Sequence, residues 1–145
     1  MAGLAWQDGA TGFLQLAGRQ IEYGMWGPAP GTGNEGSPEA APTIVLLHEG
    51  LGCVALWRDF PEQLARATGC GVFAFSRPGY GQSDPKPLPW PLDYMTREAA
   101  ETLAPVLDAL AAPAVVLIGH SDGATIAAIH ACLLYTSPSP RDKSS

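Results

Sequence analysis

The chain has 145 residues, of which 46% are apolar and 15% charged. These are the proportions of a globular domain and not of collagen, a coiled coil or a disordered segment. A formal charge of -6, with eight Lys and Arg scattered among 14 Asp and Glu, excludes nucleic acid and anionic membrane surfaces as natural partners.

Taken in chain order, the apolar pattern first predicts strands over residues 12–16 and 20–26. The second alternates Ile21, Tyr23 and Met25 with Gln20, Glu22 and Gly24, as a half-buried strand does, so the chain is expected to open with an antiparallel hairpin. Residues 27–42 are rich in Gly, Pro and polar side chains and bury too little apolar surface to offset the entropy of ordering them, which predicts an exposed loop. The runs 43–47, 71–75 and 114–118 are continuously apolar, as strands covered on both faces are, and should be parallel and central.

Two helical patterns separate these runs. Asp59 and Glu62 have capping-box-like spacing ahead of an apolar stripe at Phe60, Leu64 and Ala67, with Pro61 tolerated in the first turn. Thr96 should cap the second helix, with Ala100, Leu103, Leu107 and Leu110 on one face and a kink at Pro105. Alternating strands and helices at this spacing predict an α/β fold built on a mostly parallel sheet. No internal repeat interrupts the order.

Chemistry concentrates after the last apolar run, where Gly119-His120-Ser121-Asp122-Gly123 precedes a helix-compatible stretch, residues 124–131. As a bare pattern, Gly-x-Ser-x-Gly is weak in a glycine-rich chain. Between a strand and a helix it is specific. A sharp turn holds the serine in strained geometry, the glycines remove Cβ atoms that would clash, and the helix N-terminus favours negative charge developing on a substrate oxygen. A second loop, His48-Glu49-Gly50-Leu51-Gly52, leaves the first core strand, where backbone N–H groups can turn toward a ligand crevice. A third segment, residues 76–84 (Ser-Arg-Pro-Gly-Tyr-Gly-Gln-Ser-Asp), reads as a tight turn tied down by Arg77, Ser83 and Asp84; the alternative places Tyr80 at a substrate pocket.

These three motifs, in this order over residues 13–131, resemble the α/β-hydrolase superfamily. The resemblance implies an N-terminal part of that fold, a nucleophile at Ser121, and an elbow formed by Gly119, His120 and Gly123. It further implies an oxyanion hole from the backbone N–H of Asp122 and that of Gly50 or Leu51; Glu49 departs from the common His-Gly pattern. Family members that open epoxides or carbon–halogen bonds carry Asp at the elbow centre, so a serine implies acyl transfer. The implied substrate is a small acyl compound, an ester or a related bond that includes some C–C bonds, with no metal or organic cofactor.

Of the three histidines, His120 should point away from the neighbouring hydroxyl, His48 should support its loop, and His130 lies on a helix running away from the site. None suits a general base. The family order of Ser, then acid, then His places the other two triad members after later strands, so the chain is expected to be an inactive N-terminal part of the enzyme. A noncatalytic, ligand-binding member of the same fold is the alternative. A half-sheet serving as an interaction module is disfavoured by its exposed parallel edge.

Residues 132–142, Cys-Leu-Leu-Tyr-Thr-Ser-Pro-Ser-Pro-Arg-Asp, resemble an in-frame translation of a transposon-end sequencing adapter. The expected division is therefore 1–131 as hydrolase-like chain and 132–145 as a non-native tail that breaks the last helix. Cys53, Cys70 and Cys132 cannot all pair, and a chain with this apolar content needs no staples, so they are read as free thiols in a reducing, cytoplasmic setting. The N-terminal residues lack a basic start and long apolar run, and no stretch approaches the ~18 apolar residues of a membrane span. The sequence leaves oligomeric state open.

Overall fold

A continuously apolar strand can sit only where both faces are covered, and β3 (Thr43–Leu47) is buried at every residue, flanked on both sides within a five-stranded sheet. The computed structural model describes residues 4–32 and 41–136, so half of the expected 27–42 loop lies outside the described residues, as do the side chains of residues 135 and 136. The order is β1-β2-β4-β3-β5, with β1 at Thr11–Leu16, β2 at Arg19–Trp26, β4 at Val72–Phe75 and β5 at Val115–Gly119. The sheet is mixed. β3 pairs in parallel with both β4 and β5, while the β1-β2 hairpin is antiparallel and joins β4 antiparallel through Tyr23 opposite Phe75.

Helices cover both faces. On one, Ile44, Leu46, Val72 and Ala74 pack against Ala65 of α1 (Phe60–Thr68). On the other, Val45, Leu47, Phe73 and Phe75 meet Ala99, Leu103, Val106 and Leu110 of the second helical segment and Ile126 of the last helix. That second segment comprises α2 (Tyr94–Glu98), a π-helical turn (Ala99–Leu103) and α3 (Ala104–Leu110). Pro105 lacks an N–H and its ring crowds the carbonyl four residues back, so the wide turn just before it is the form the expected kink takes.

Several local expectations are corrected. The α1 face is turned relative to the expected stripe: Pro61 and Ala65 are buried while Phe60 is 41% exposed and stacks on Trp57 at 5.7 Å. Asp59 makes no side-chain cap; its carboxylate accepts from Gln63 Nε2 at 2.8 Å. The second helical segment starts two residues before Thr96, after Asp93, and buries Ala99 in place of Ala100, since the wide turn shifts the face. Glu22 is buried although β2 was read as polar on that side, because a loop packs over it. β5 was expected to be central, yet it is an edge strand with Val116 44% exposed. The last helix, α4 (Asp122–Thr136), runs across the expected junction at residue 132.

Candidate active site

The C-terminal ends of β3 and β5 lie side by side, Leu47 opposite Gly119, so the two loops that leave them must meet. The amide of His120 donates to the carbonyl of Leu47 at 3.1 Å, and α4 begins at once, with Ala124 N–H donating to Ser121 O at 2.9 Å. A turn this tight places Ser121 at φ 55°, a left-handed conformation strained for a residue with a Cβ. Both flanking glycines are required by close approach. A Cβ on Gly119 would overlap the backbone of Gly123 and Ala124, and one on Gly123 would overlap the carbonyl groups of Leu47 and His48. Ser121 is left exposed at the apex.

Residues 49–52 close a turn in which Gly52 N–H donates to Glu49 O at 3.0 Å. Among the described residues, the amides of Gly50 and Leu51 inside this turn have no acceptor, and neither has that of Asp122 at the start of α4. Gly50 lies against Asp122: a Cβ there would come within 3.0 Å of Asp122 Oδ2. The same Oδ2 accepts from the Tyr94 hydroxyl at 2.9 Å. The structure thus brings together Ser121, Asp122, Gly50 and Leu51 at one end of the sheet.

His48 stays behind this surface. It is buried; its Nε2 accepts from the Arg77 backbone N–H at 3.0 Å, which leaves the proton on Nδ1, 2.7 Å from Glu49 O. Desolvation, then the Arg77 guanidinium, lower its pKa to about 4. Both nitrogens are committed, so the ring holds the loop and takes no proton. His120 is exposed with Nδ1 3.9 Å from Glu49 Oε2. His130 is buried along α4, and desolvation lowers its pKa.

The 76–84 segment is a hydrogen-bonded knot. Arg77 Nη1 donates to His48 O, Ser83 Oγ to Ser76 O, and Asp84 exchanges bonds with the backbone of Gln20. Glu22 Oε1 accepts from Ser76 Oγ at 2.8 Å and Gln82 N–H at 3.0 Å. Tyr80 meets His48 edge-on at 4.8 Å and Trp90 at 5.8 Å, and Trp90 meets Tyr94 at 5.4 Å. Aromatic rings therefore run from behind the His48 loop to the Asp122 carboxylate. Sequence reasoning missed Glu22, Ser76 and Tyr94. A lone carboxylate amid strand residues hinted at the first, whereas nothing local marks a tyrosine 28 positions from its partner.

A cavity of about 300 Å³ lies elsewhere, lined by Arg19, Ile21, Lys86, Glu98 and Thr102 among others, and Ser121 does not line it. The free amides and the exposed serine, rather than the size of a cavity, mark the candidate site. Among the described residues no cluster of His, Cys, Asp and Glu could hold a metal ion, and no helix is long and apolar enough to cross a membrane.

This strand–turn–helix arrangement is that of an α/β-hydrolase fold, and the family model of that name matches residues 42–140. The chain belongs to the α/β-hydrolase fold family. Among solved structures it is similar to an epoxide hydrolase mutant from Vigna radiata (18% identity, TM-score 0.67, covering 87% of this chain and 35% of that one). It is also similar to epoxide hydrolase A from Mycobacterium thermoresistibile (27%, 0.64, 85% and 34%) and to a membrane phospholipase A described as a bacterial virulence factor (23%, 0.63, 84% and 34%). The chain spans about a third of the length of these structures. No curated protein sequence matches it.

Proposed function

We propose that the chain is the N-terminal part of a serine hydrolase that cleaves an ester or related acyl bond through an acyl-enzyme. The observation that carries this reading is the exposed Ser121 held at φ 55° beside the unpartnered amides of Asp122, Gly50 and Leu51. In this mechanism the Ser121 hydroxyl attacks the carbonyl carbon, the former carbonyl oxygen takes up negative charge facing those amides, and the leaving group departs with a proton. Water then attacks the acyl-enzyme and releases the acid. The base and its orienting acid come from residues beyond this third of the fold, since both ring nitrogens of His48 are occupied and His130 is buried along α4.

Serine at the elbow supports acyl chemistry over the epoxide opening named for two of the structural neighbours. β5 is the edge strand of the sheet, and its free backbone edge suits the addition of further strands. No cofactor enters the scheme. The experiment is turnover of p-nitrophenyl acetate by the product of the full gene: loss on Ser121→Ala, with the fold intact by circular dichroism, supports the reading. Turnover that survives Ser121→Ala, or a full-length product that binds but never turns over esters, favours instead a ligand-binding member of the family.

A further inference from the structure

We infer that Tyr94 is a positioning residue for the oxyanion hole, acting by holding the Asp122 carboxylate away from the backbone amides that the substrate oxygen must reach. The inference rests on the acyl-transfer reading above. Asp122 has two functions that conflict. Its N–H, at the first residue of α4, is one of the free donors beside Ser121. Its side chain is a carboxylate, an acceptor that such donors attract.

The geometry shows how the conflict is resolved. Asp122 Oδ2 sits between α2 and the 49–52 turn, taking the Tyr94 hydroxyl at 2.9 Å on one side and lying against the α-carbon of Gly50 on the other. The Tyr94 hydroxyl is the one side-chain donor that reaches this carboxylate among the described residues. The bond also raises the Tyr94 pKa, first through the hydrogen bond itself. If the hydroxyl is removed, a half-buried carboxylate loses its donor, and the unoccupied donors around it are the amides of Gly50, Leu51 and Asp122 itself. These are the groups proposed to receive the oxyanion. A carboxylate that turned onto them would fill the hole with the wrong anion and repel the charge that develops in the transition state.

Tyr94 itself is rigidly placed. Its ring packs on Trp90 at 5.4 Å, and the Lys86 ammonium lies 5.8 Å from its centroid while pairing with the buried Glu98 at 2.7 Å. These contacts survive when only the hydroxyl is deleted. Tyr94→Phe therefore removes the restraint on Asp122 and little else.

The decisive experiment is second-site suppression in the full gene product. Tyr94→Phe is expected to lower kcat by on the order of tenfold or more with KM little changed, because a weakened oxyanion hole is felt in the transition state. Adding Asp122→Asn should restore kcat to within a few-fold of the unmutated enzyme, since a neutral amide competes poorly for the donors. If Tyr94 is merely a strut, the double variant stays as slow as Tyr94→Phe or becomes slower, and that result overturns the inference. So does a Tyr94→Phe enzyme with unaltered kcat.

An independent readout uses the full gene product. In an ultraviolet phenol titration, Asp122→Asn should bring one tyrosine down toward the ordinary range near pH 10, and Tyr94→Phe should remove that same transition. An unchanged titration in both variants shows that the bond is absent and also overturns the inference. Failure of the acyl-transfer reading is distinguished by the Ser121→Ala control, which would then leave turnover in place.

Discussion

His48 and Arg77 are bonded twice: the Arg77 amide donates to the imidazole Nε2 at 3.0 Å, and the Arg77 guanidinium donates to the His48 carbonyl at 2.5 Å. The pair joins the ends of β3 and β4 and fixes where the 49–52 turn begins. It requires a neutral imidazole, because protonation at Nε2 would set N–H against N–H beside a cation.

The consequence is a pH-dependent stability. The His48 pKa is about 4 in the fold against 6.5 ordinarily, so between those values the unfolded chain binds the proton that the fold refuses. The contribution is complete above pH 6.5 and declines as the pH falls to 4, by at most about 3 kcal/mol. Urea unfolding of the chain at several pH values should show this slope, and it should flatten in His48→Gln. Equal slopes in the two proteins would contradict the assignment of the neutral ring.

How much of this was legible in the sequence depends on the range of the interaction. The strands and the elbow were readable because their determinants are local: five apolar residues in Thr43–Leu47, and two glycines spaced around Ser121. The placement of the 48–52 loop beside the elbow followed from parallel pairing, since both leave strand ends on the same side. By contrast, the Glu22 network joins positions 54 and 60 residues apart, and no periodicity in β2 shows that a loop will bury its polar face. The α1 stripe was misplaced because an aromatic at Phe60 satisfies helical spacing yet finds its partner, Trp57, outside the sheet.

The elbow predicts a conflict between stability and chemistry. A left-handed φ of 55° at Ser121 costs a residue with a Cβ about 1–2 kcal/mol, part of which glycine returns as unfolded-state entropy. Ser121→Gly should therefore be at least as stable as the unmutated chain, by up to about 1 kcal/mol, while Ser121→Val is less stable. Urea midpoints measure both. Gly123→Ala should be worse than either, because its Cβ falls on the Leu47 and His48 carbonyls.

Glu22 should prove a structural residue as important as any apolar one beside it. Its carboxylate serves both a hydroxyl and an amide of the 76–84 knot from a buried position. Glu22→Ala leaves those donors unpaired and should cost on the order of 2–3 kcal/mol. Glu22→Gln, which keeps an acceptor oxygen, should cost less. If denaturant unfolding finds Ala and Gln equal, the network does not stabilise the fold through its hydrogen bonds.

The last prediction concerns the chain as it stands: it should not hydrolyse p-nitrophenyl acetate above a Ser121→Ala control. A serine hydroxyl is a weak nucleophile at neutral pH and needs a base within hydrogen-bond reach. His48 accepts from Arg77 and donates to Glu49, His130 is buried in α4, and His120 faces Glu49 at 3.9 Å. An oxyanion hole without a base still accelerates reactions over water by about a thousandfold in intact triad knockouts, but those retain every strand of the sheet. Here β5 is an edge strand with Val116 44% exposed, and an unpaired apolar edge favours association between chains over an ordered crevice. Val116→Lys should accordingly reduce light scattering by the chain without creating turnover. Turnover by the chain that depends on Ser121 and equals that of the full gene product would show that one of these three histidines serves as the base, and that the chemistry is complete within this part of the fold.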